Sequence, residues 1–201
     1  MRISSVGFEE LETYFQRAPE ITTQAARMAI NDVAQGAGLR LIKDKMVDQI
    51  DFPTGYLSAD RLGVAKRASN ANLEAVIVGR KRATSLARFS SSKVPGKNPV
   101  SVSVRKGRTV TMRNAFLVRL KSGASLTEDK FNLGLAVRLK PGETINKKTT
   151  HRSWLVPGKV ALLYGPSVDQ VFSEVADTVL DPIGDLVSAE FFRQFARLSN
   201  G

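Results

Sequence analysis

Apolar residues recur three and four positions apart at both ends of this chain and at every second position in its middle. Phe8, Leu11 and Phe15 follow two serines and predict a short amphipathic helix that ends ahead of Pro19. Because proline is tolerated in a first helical turn, a second and longer helix is predicted from Pro19 to about Ile50. Its apolar stripe is narrow and rich in alanine: Ala26, Ile30, Val33, Ala37 and Leu41.

Two glycines lie within this long predicted helix. Gly36 and Gly38 lower its intrinsic helicity, and together with the small alanines they predict close packing against another helix. Pro53 and Gly55 then mark the end of the helical part of the chain.

From Leu62 onward the apolar period changes to two. Valines alternate with serines over 100–104, and leucine or valine alternates with glycine, alanine or arginine over 133–139. Three further apolar runs lie at 73–79, 116–120 and 159–164, so an antiparallel sheet of about five strands is predicted. Arg119 and Arg138 are then expected to point away from its apolar face. Two long basic loops, 80–99 and 141–153, interrupt the sheet, and loops of this length are typically functional or disordered.

Two helices are predicted at the C-terminal end. Ser167 and Gln170 have the spacing of a capping box and predict a helix start at Ser167. Asp181 followed by proline predicts a second start, ahead of an apolar row with a spacing of four. In that row, Phe191 and Phe195 are candidates either for docking on the sheet or for contact with another subunit.

The fold class that follows is α+β, with the long N-terminal helix and the two C-terminal helices packed on the antiparallel sheet. We interpret residues 1–201 as a single domain. It comprises a helical part over 1–52, a basic sheet region over 60–164 that contains the two loops, and the C-terminal helices over 166–198.

The charge is concentrated in the sheet region. The chain carries a formal charge of +11, yet residues 60–159 alone hold 22 lysines and arginines against five acids. The two flanks are mildly acidic. This asymmetry predicts an anionic partner, or neighbouring subunits that neutralise the charge.

The compartment is predicted from the N-terminus and from the absence of cysteine. Residues 1–20 contain four glutamates and no apolar core stretch, so no signal peptide is expected. No apolar run reaches the length of a membrane span. We expect a soluble protein that makes no membrane contact and is intracellular when made, and the absence of cysteine is compatible with assembly in a reducing compartment.

Catalysis is not expected. The one histidine, His151, lies in a polar, basic stretch, and the acids of the sheet region form no pair with metal-ligand spacing. No glycine-rich phosphate loop is present. We therefore predict a protein that is not an enzyme and that binds neither a metal nor another cofactor.

The basic residues of the loops and strands are the candidate contacts to DNA or to acidic neighbours. Stacking on bases is poorly supported, because only Phe89, Phe116 and Trp154 accompany the charges. Alanine at Arg80, Lys81 and Arg82 is expected to leave folding intact, since exposed loop charges contribute little to stability. The candidate contacts are Arg80, Lys81, Arg82, Arg88, Arg105, Lys106, Arg108, Lys147 and Lys148.

Several short motifs occur in a characteristic order. Gly55-Tyr56-Leu57 and Arg61-Leu62 come first, and they are followed by the stretches 72–80 and 85–89. Leu163-Tyr164-Gly165-Pro166-Ser167-Val168 then leads into the terminal helical part. In this order, over about residues 20–195, the chain resembles the minor tail protein Z family of tailed bacteriophages and prophages.

The resemblance implies a virion subunit of the neck, where the tail joins the head, that acts late in tail assembly. It further implies a homo-oligomeric ring around the DNA channel, which we expect to be hexameric like the tail. The partners would be further copies of the chain, head-closure and tail-terminator or other tail proteins, and the genomic DNA. Assembly would take place in the cytoplasm of the bacterial host. The family supplies no catalytic or metal-binding residues.

Two other function classes compete with this interpretation. A basic cellular protein that binds nucleic acid without sequence preference would also explain the charge, and it would bind naked nucleic acid tightly. A divalent-metal nuclease is disfavoured, because no acidic cluster lies in the basic region.

Overall fold

The protein is an α+β structure with antiparallel sheets. The computed structural model describes residues 6–96, 99–121, 132–139, 155–156 and 160–200, and the side chains of 6–15 and 155–156 are outside that description. The helices are α1 (Val6–Gln35), α2 (Ala37–Gln49) and α3 (Val168–Ser199), with a short 3-10 helix at Leu86–Phe89. The strands are β1 (Leu62–Lys66), β2 (Val76–Gly79), β3 (Ala83–Ser85), β4 (Val100–Arg105), β5 (Arg108–Met112), β6 (Ala115–Arg119), β7 (Leu133–Arg138), β8 (Leu155–Val156) and β9 (Val160–Ser167).

The chain divides into two compact units, each assembled from separate segments. The first unit combines the chain up to Ile42 with Gly63–Val78 and the chain from Ala176 onward. The second combines Lys43–Leu62 with Gly79–Val175. The interpretation of the chain as a single domain stays a prediction.

The sheets are antiparallel, as predicted, but the described strands form three sheets in place of the single predicted sheet of about five strands. The largest of them lies in the second unit: its strand order is β3-β9-β7-β6, and the short β8 pairs with β9. The alternating segment 100–104 does form a strand, but β4 pairs with β5 in a separate hairpin, and β1 pairs with β2 in another. Alternation identifies strands correctly, whereas pairing depends on contacts that are distant in sequence. Arg119 and Arg138 are exposed, as predicted.

The boundary between the two N-terminal helices differs from the predicted one. α1 continues through Pro19 to Gln35, so the predicted end ahead of Pro19 is wrong. The single long helix is instead interrupted at Gly36, where the chain turns before α2. A side chain at Gly38 would lie 2.8 Å from the Val33 carbonyl oxygen. The two glycines therefore serve the junction between α1 and α2, where the backbone passes too close for a Cβ atom.

The predicted start of the C-terminal helical part at Ser167 is confirmed, but the predicted second start at Asp181 is wrong. The Ser167 amide donates to Gln170 Oε1 at 2.9 Å and the Gln170 amide donates to Ser167 Oγ at 3.0 Å, which is the predicted capping box. Pro182 lies inside α3, and no second helix begins there. Apolar residues recur every fourth position on both sides of it, so their packing offsets the main-chain bond that proline cannot make. The row comprises Val171, Val175, Val179, Ile183 and Val187.

The first unit joins α1 to α3 through polar contacts. The buried side chain of Gln194 donates from Nε2 to Asp32 Oδ2 at 3.1 Å and to Glu190 Oε1 at 2.6 Å. The Arg193 guanidinium donates a hydrogen bond to the Glu190 carboxylate, and this bond holds the pKa of the Glu190 carboxyl below its ordinary value. Asn31 fixes the loop after β1, because its amide group both donates to and accepts from the backbone of Ala68.

The two basic loops have different outcomes. Residues 80–96 are not a free loop, because they contain β3 and the 3-10 helix and bury Ala83, Thr84, Ala87 and Phe89. Small buried residues and charged residues are mixed in this segment, so its sequence resembles that of a polar loop. The loop 141–153 lies outside the described residues.

Candidate functional site

The second unit contains a buried aromatic cluster centred on Tyr56. The turn over residues 53–56 positions it: the Tyr56 amide donates to the Pro53 carbonyl at 2.9 Å, and Gly55 has a φ of +74° that favours glycine. Tyr56 is only 3% exposed. The Phe52 ring stacks on it with a centroid distance of 5.4 Å, and Phe89 lies 5.9 Å from Phe52. The cluster is therefore a fixed apolar platform.

Three arginines converge on the Tyr56 ring. Their guanidinium carbons lie 4.5, 4.9 and 5.9 Å from its centroid, for Arg61, Arg88 and Arg80 respectively. These distances are within the range of cation–π attraction. Arg80 also donates from Nη2 to the Tyr56 hydroxyl at 2.8 Å, and that hydroxyl donates to Thr84 Oγ1 at 3.1 Å. We call Tyr56, Arg61, Arg80 and Arg88 the arginine cluster.

An acidic side chain borders the arginine cluster. Arg61 Nε pairs with Asp60 Oδ2 at 3.9 Å. A hydrogen bond from Ser58, with smaller contributions from Arg61 and Arg80, holds the pKa of the Asp60 carboxyl below its ordinary value. The ionised form of the Asp60 carboxyl is thus stabilised beside the arginine cluster.

Arg80 differs from the two basic residues that follow it. Its amide donates to the Arg61 carbonyl at 2.7 Å, and its carbonyl accepts from the Asp169 amide at 3.2 Å. Lys81 and Arg82 are exposed. The premise that all three are exposed loop charges is therefore wrong for Arg80, whose side chain is half-buried against Tyr56. The expectation that alanine at all three positions leaves folding intact stays a prediction.

Lys93 stabilises the end of the 3-10 helix. Its ammonium group donates to the carbonyls of Ala87, Arg88 and Ser90 at 2.8, 3.0 and 2.9 Å. Burial, and secondarily the nearby charge of Arg88, lowers the pKa of Lys93. Because all three ammonium donors have carbonyl partners, Lys93 positions the backbone beside Arg88.

A second group of candidate cations lies at the tip of the β4–β5 hairpin. Arg105, Lys106 and Arg108 surround Gly107, whose φ of +75° forms the tight turn, and all three are exposed. Lys106 pairs with the exposed Asp48 at 3.7 Å, a geometry that contributes little to stability. We call these three residues the hairpin tip.

A groove of about 440 Å³ has Arg88 of the arginine cluster and residues of the β4–β5 hairpin among its walls. Arg88 and Lys93 line it from one side, and Ser101, Ser103 and Thr109 line it from the hairpin. Of the predicted candidates, Arg80 and Arg88 thus belong to the arginine cluster and Arg105, Lys106 and Arg108 to the β4–β5 hairpin, whereas the exposed Lys81 and Arg82 belong to neither. Lys147 and Lys148 lie outside the described residues.

The centre of this site was not among the predicted contacts. Tyr56 and Arg61 belong to motifs of the predicted resemblance, but neither was a candidate contact residue. The aromatic residues that accompany the charges in the sequence do not offer bases a stacking surface: Phe89 is buried, and Phe116 packs beneath Arg138 at 5.3 Å. Trp154 lies outside the described residues.

The phenylalanines of α3 are exposed to different degrees. Phe191 and Phe195, the predicted candidates for subunit contact, are half-buried and stack at a centroid distance of 5.9 Å. Phe192, which was not a candidate, is 68% exposed. A subunit contact at Phe191 and Phe195 stays a prediction.

Metal-site and membrane features are not found in the described residues. Within them, no group of three or more histidine, cysteine, aspartate or glutamate side chains has the arrangement of a metal site. His151 is not among them. Of the helices described, none combines the length and the apolar character that crossing a membrane requires.

Comparison with known proteins gives no relative from which a function can be transferred. No protein-family model, curated protein or solved structure matches the chain.

Proposed function

We propose that this chain is a structural virion protein of a tailed phage, a neck or tail-completion subunit at the head-proximal end of the tail. One observation carries the proposal beyond the resemblance itself. The separate motifs Gly55-Tyr56-Leu57, Arg61-Leu62, the end of 72–80 and Ser85-Leu86-Ala87-Arg88-Phe89 all contribute to the arginine cluster or its aromatic support. Motifs that meet in space support a shared structural role better than motifs that merely follow one another.

In this proposal the subunits form a hexameric ring around the DNA channel, and the positive charge of the second unit faces either DNA or acidic neighbouring proteins. The exposed cations of the hairpin tip support such a surface. The neighbours would be head-closure and tail-terminator or other tail proteins.

The proposal is tested on phage particles. Mass spectrometry of purified virions should detect the chain, and electron microscopy should locate it at the neck. Disruption of its gene should yield full heads and tails that fail to join. Absence of the chain from purified, infectious virions would contradict the proposal.

A second candidate, nonspecific nucleic-acid binding in the cell, is favoured by the hairpin tip. Alanine at Arg105, Lys106 and Arg108 should leave the fold intact, because all three side chains are exposed. If each cation neutralises one phosphate, the slope of log affinity against log salt should fall by about three for duplex DNA.

Filter binding at several salt concentrations measures this slope, and Arg193→Ala, on α3 of the first unit, is the matched control for loss of a basic side chain. Tight binding at moderate salt would favour the cellular candidate. An unchanged slope in the triple variant would show that the hairpin tip does not contact phosphate.

A further inference from the structure

One edge of the β4–β5 hairpin has no strand partner among the described residues. On the far side of β4, the Ser91 amide donates to the Ser101 carbonyl at 3.1 Å and the Asp51 amide donates to the Val104 carbonyl at 2.9 Å. β5 has no equivalent. In the parts of the chain that the structure describes, no main-chain group bonds to the outer side of β5.

The register identifies the groups that this edge presents. The Ser101 carbonyl bonds on the side of β4 that faces away from β5. Ser101 and Thr111 are therefore a non-hydrogen-bonded pair, in which the main-chain groups of Thr111 point away from β4. Thr109 is two residues from Thr111 on the same strand, so its main-chain groups face the same side; the register shift lies on β4, between Ser103 and Arg105. The amides and carbonyls of Thr109 and Thr111 therefore project from the free edge of β5.

The apolar side of the hairpin is also incompletely covered at β5. Val102 is 4% exposed, whereas Val110, its register partner on the same face, is 48% exposed. A strand added beside β5 would place side chains next to Val110 and extend the buried face by one strand. Unpaired main chain and an exposed valine thus coincide on a single strand.

Charge selects the kind of strand that fits. Arg108 lies at one end of β5 and Arg113 just beyond the other, and both are exposed. Antiparallel pairing of β5 with a second copy of itself would bring these arginines close to one another, which is unfavourable. Carboxylates at the ends of an incoming strand would instead meet both cations.

We propose that the free edge of β5 is a strand-addition site for an extended segment of a partner protein, apolar at its centre and acidic at its ends. Main-chain bonds to Thr109 and Thr111 would supply affinity, and Val110, Arg108 and Arg113 would select the sequence. This inference does not rest on a role in the virion, so either proposal can fail without the other.

Titration calorimetry with a synthetic peptide tests the proposal. The peptide alternates threonine with valine and carries a glutamate at each end, and a matched peptide carries lysine at each end. Thr109→Pro removes an outward amide and adds a ring at the edge, while the pairing with β4 is kept. Its affinity for the acidic peptide should be at least about tenfold lower than that of the matched control Thr109→Val, which retains the amide.

Hydrogen exchange on the unsubstituted protein gives a second, independent measurement. The acidic peptide should slow exchange of the Thr109 and Thr111 amides. The proposal is overturned by absence of binding, by equal binding of the lysine peptide, or by equal affinities of the two Thr109 variants. Dimerisation through β5 without peptide binding would assign the edge to a second copy instead, and competition by duplex DNA unaffected by Thr109→Pro would assign the hairpin to nucleic acid.

Discussion

Replacing Tyr56 with alanine should lower the free energy of unfolding by about 3–5 kcal/mol, the usual cost of truncating a buried aromatic side chain. The substitution removes the stack on Phe52 and the ring that three guanidinium groups contact. It also leaves Arg61, Arg80 and Arg88 close together without the aromatic face between them. Urea unfolding followed by circular dichroism measures the loss.

Two further variants separate the contributions at this position. Tyr56→Phe keeps the ring and removes only the hydroxyl between Arg80 and Thr84, so the expected loss is about 1–2 kcal/mol. Lys81→Ala, an exposed basic residue beside Arg80, should change stability by less than about 0.5 kcal/mol. If Tyr56→Ala is as stable as Lys81→Ala, the arginine cluster does not hold the second unit together.

Alanine at Gly79 should also destabilise the second unit strongly. Its Cβ atom would lie 2.8 Å from the Cα atom and 2.9 Å from the amide nitrogen of Asp169, at the start of α3. Both are backbone atoms that cannot rotate away, so β2 or the first turn of α3 must shift. We expect a loss of at least about 1–3 kcal/mol, the range for overpacking a close contact.

Gly184 provides the matched control for this substitution. It also lies in α3, but a Cβ atom there would meet nothing within 4 Å. Gly184→Ala should therefore stabilise the protein by about 0.5–1 kcal/mol, because alanine favours the helix. Thermal unfolding of the two variants should shift in opposite directions. A shift in the same direction would show that the close approach at Gly79 is relieved without cost.

Short sequence patterns predicted those elements that depend on residues close together in the chain. The capping box at Ser167 and the strand over 100–104 were identified correctly, because each depends on residues within one or two turns of chain. The breaks were misplaced for the opposite reason. Pro19 and Pro182 carry strong local signals for a helix end, yet α1 continues through the first and α3 through the second. The apolar residues at every fourth position continue across Pro182, and this continuity indicates a single helix.

The candidate site was predictable in part only. Charge identified Arg80 and Arg88, but nothing local connects them to a tyrosine more than twenty residues earlier in the chain. Strand pairing is equally hard to predict from local sequence. β5 was not among the predicted strands, and it is recognised only by its pairing with β4. Long-range convergence must therefore be seen in three dimensions.

The division of the chain into two units has a consequence for its synthesis. Each unit draws on segments from distant parts of the sequence, and the boundaries at Ile42 and Val175 fall inside α2 and α3. The first unit needs the chain from Ala176 onward, so it cannot be completed on the ribosome until translation has passed the second unit. No single cut of the chain yields either unit alone.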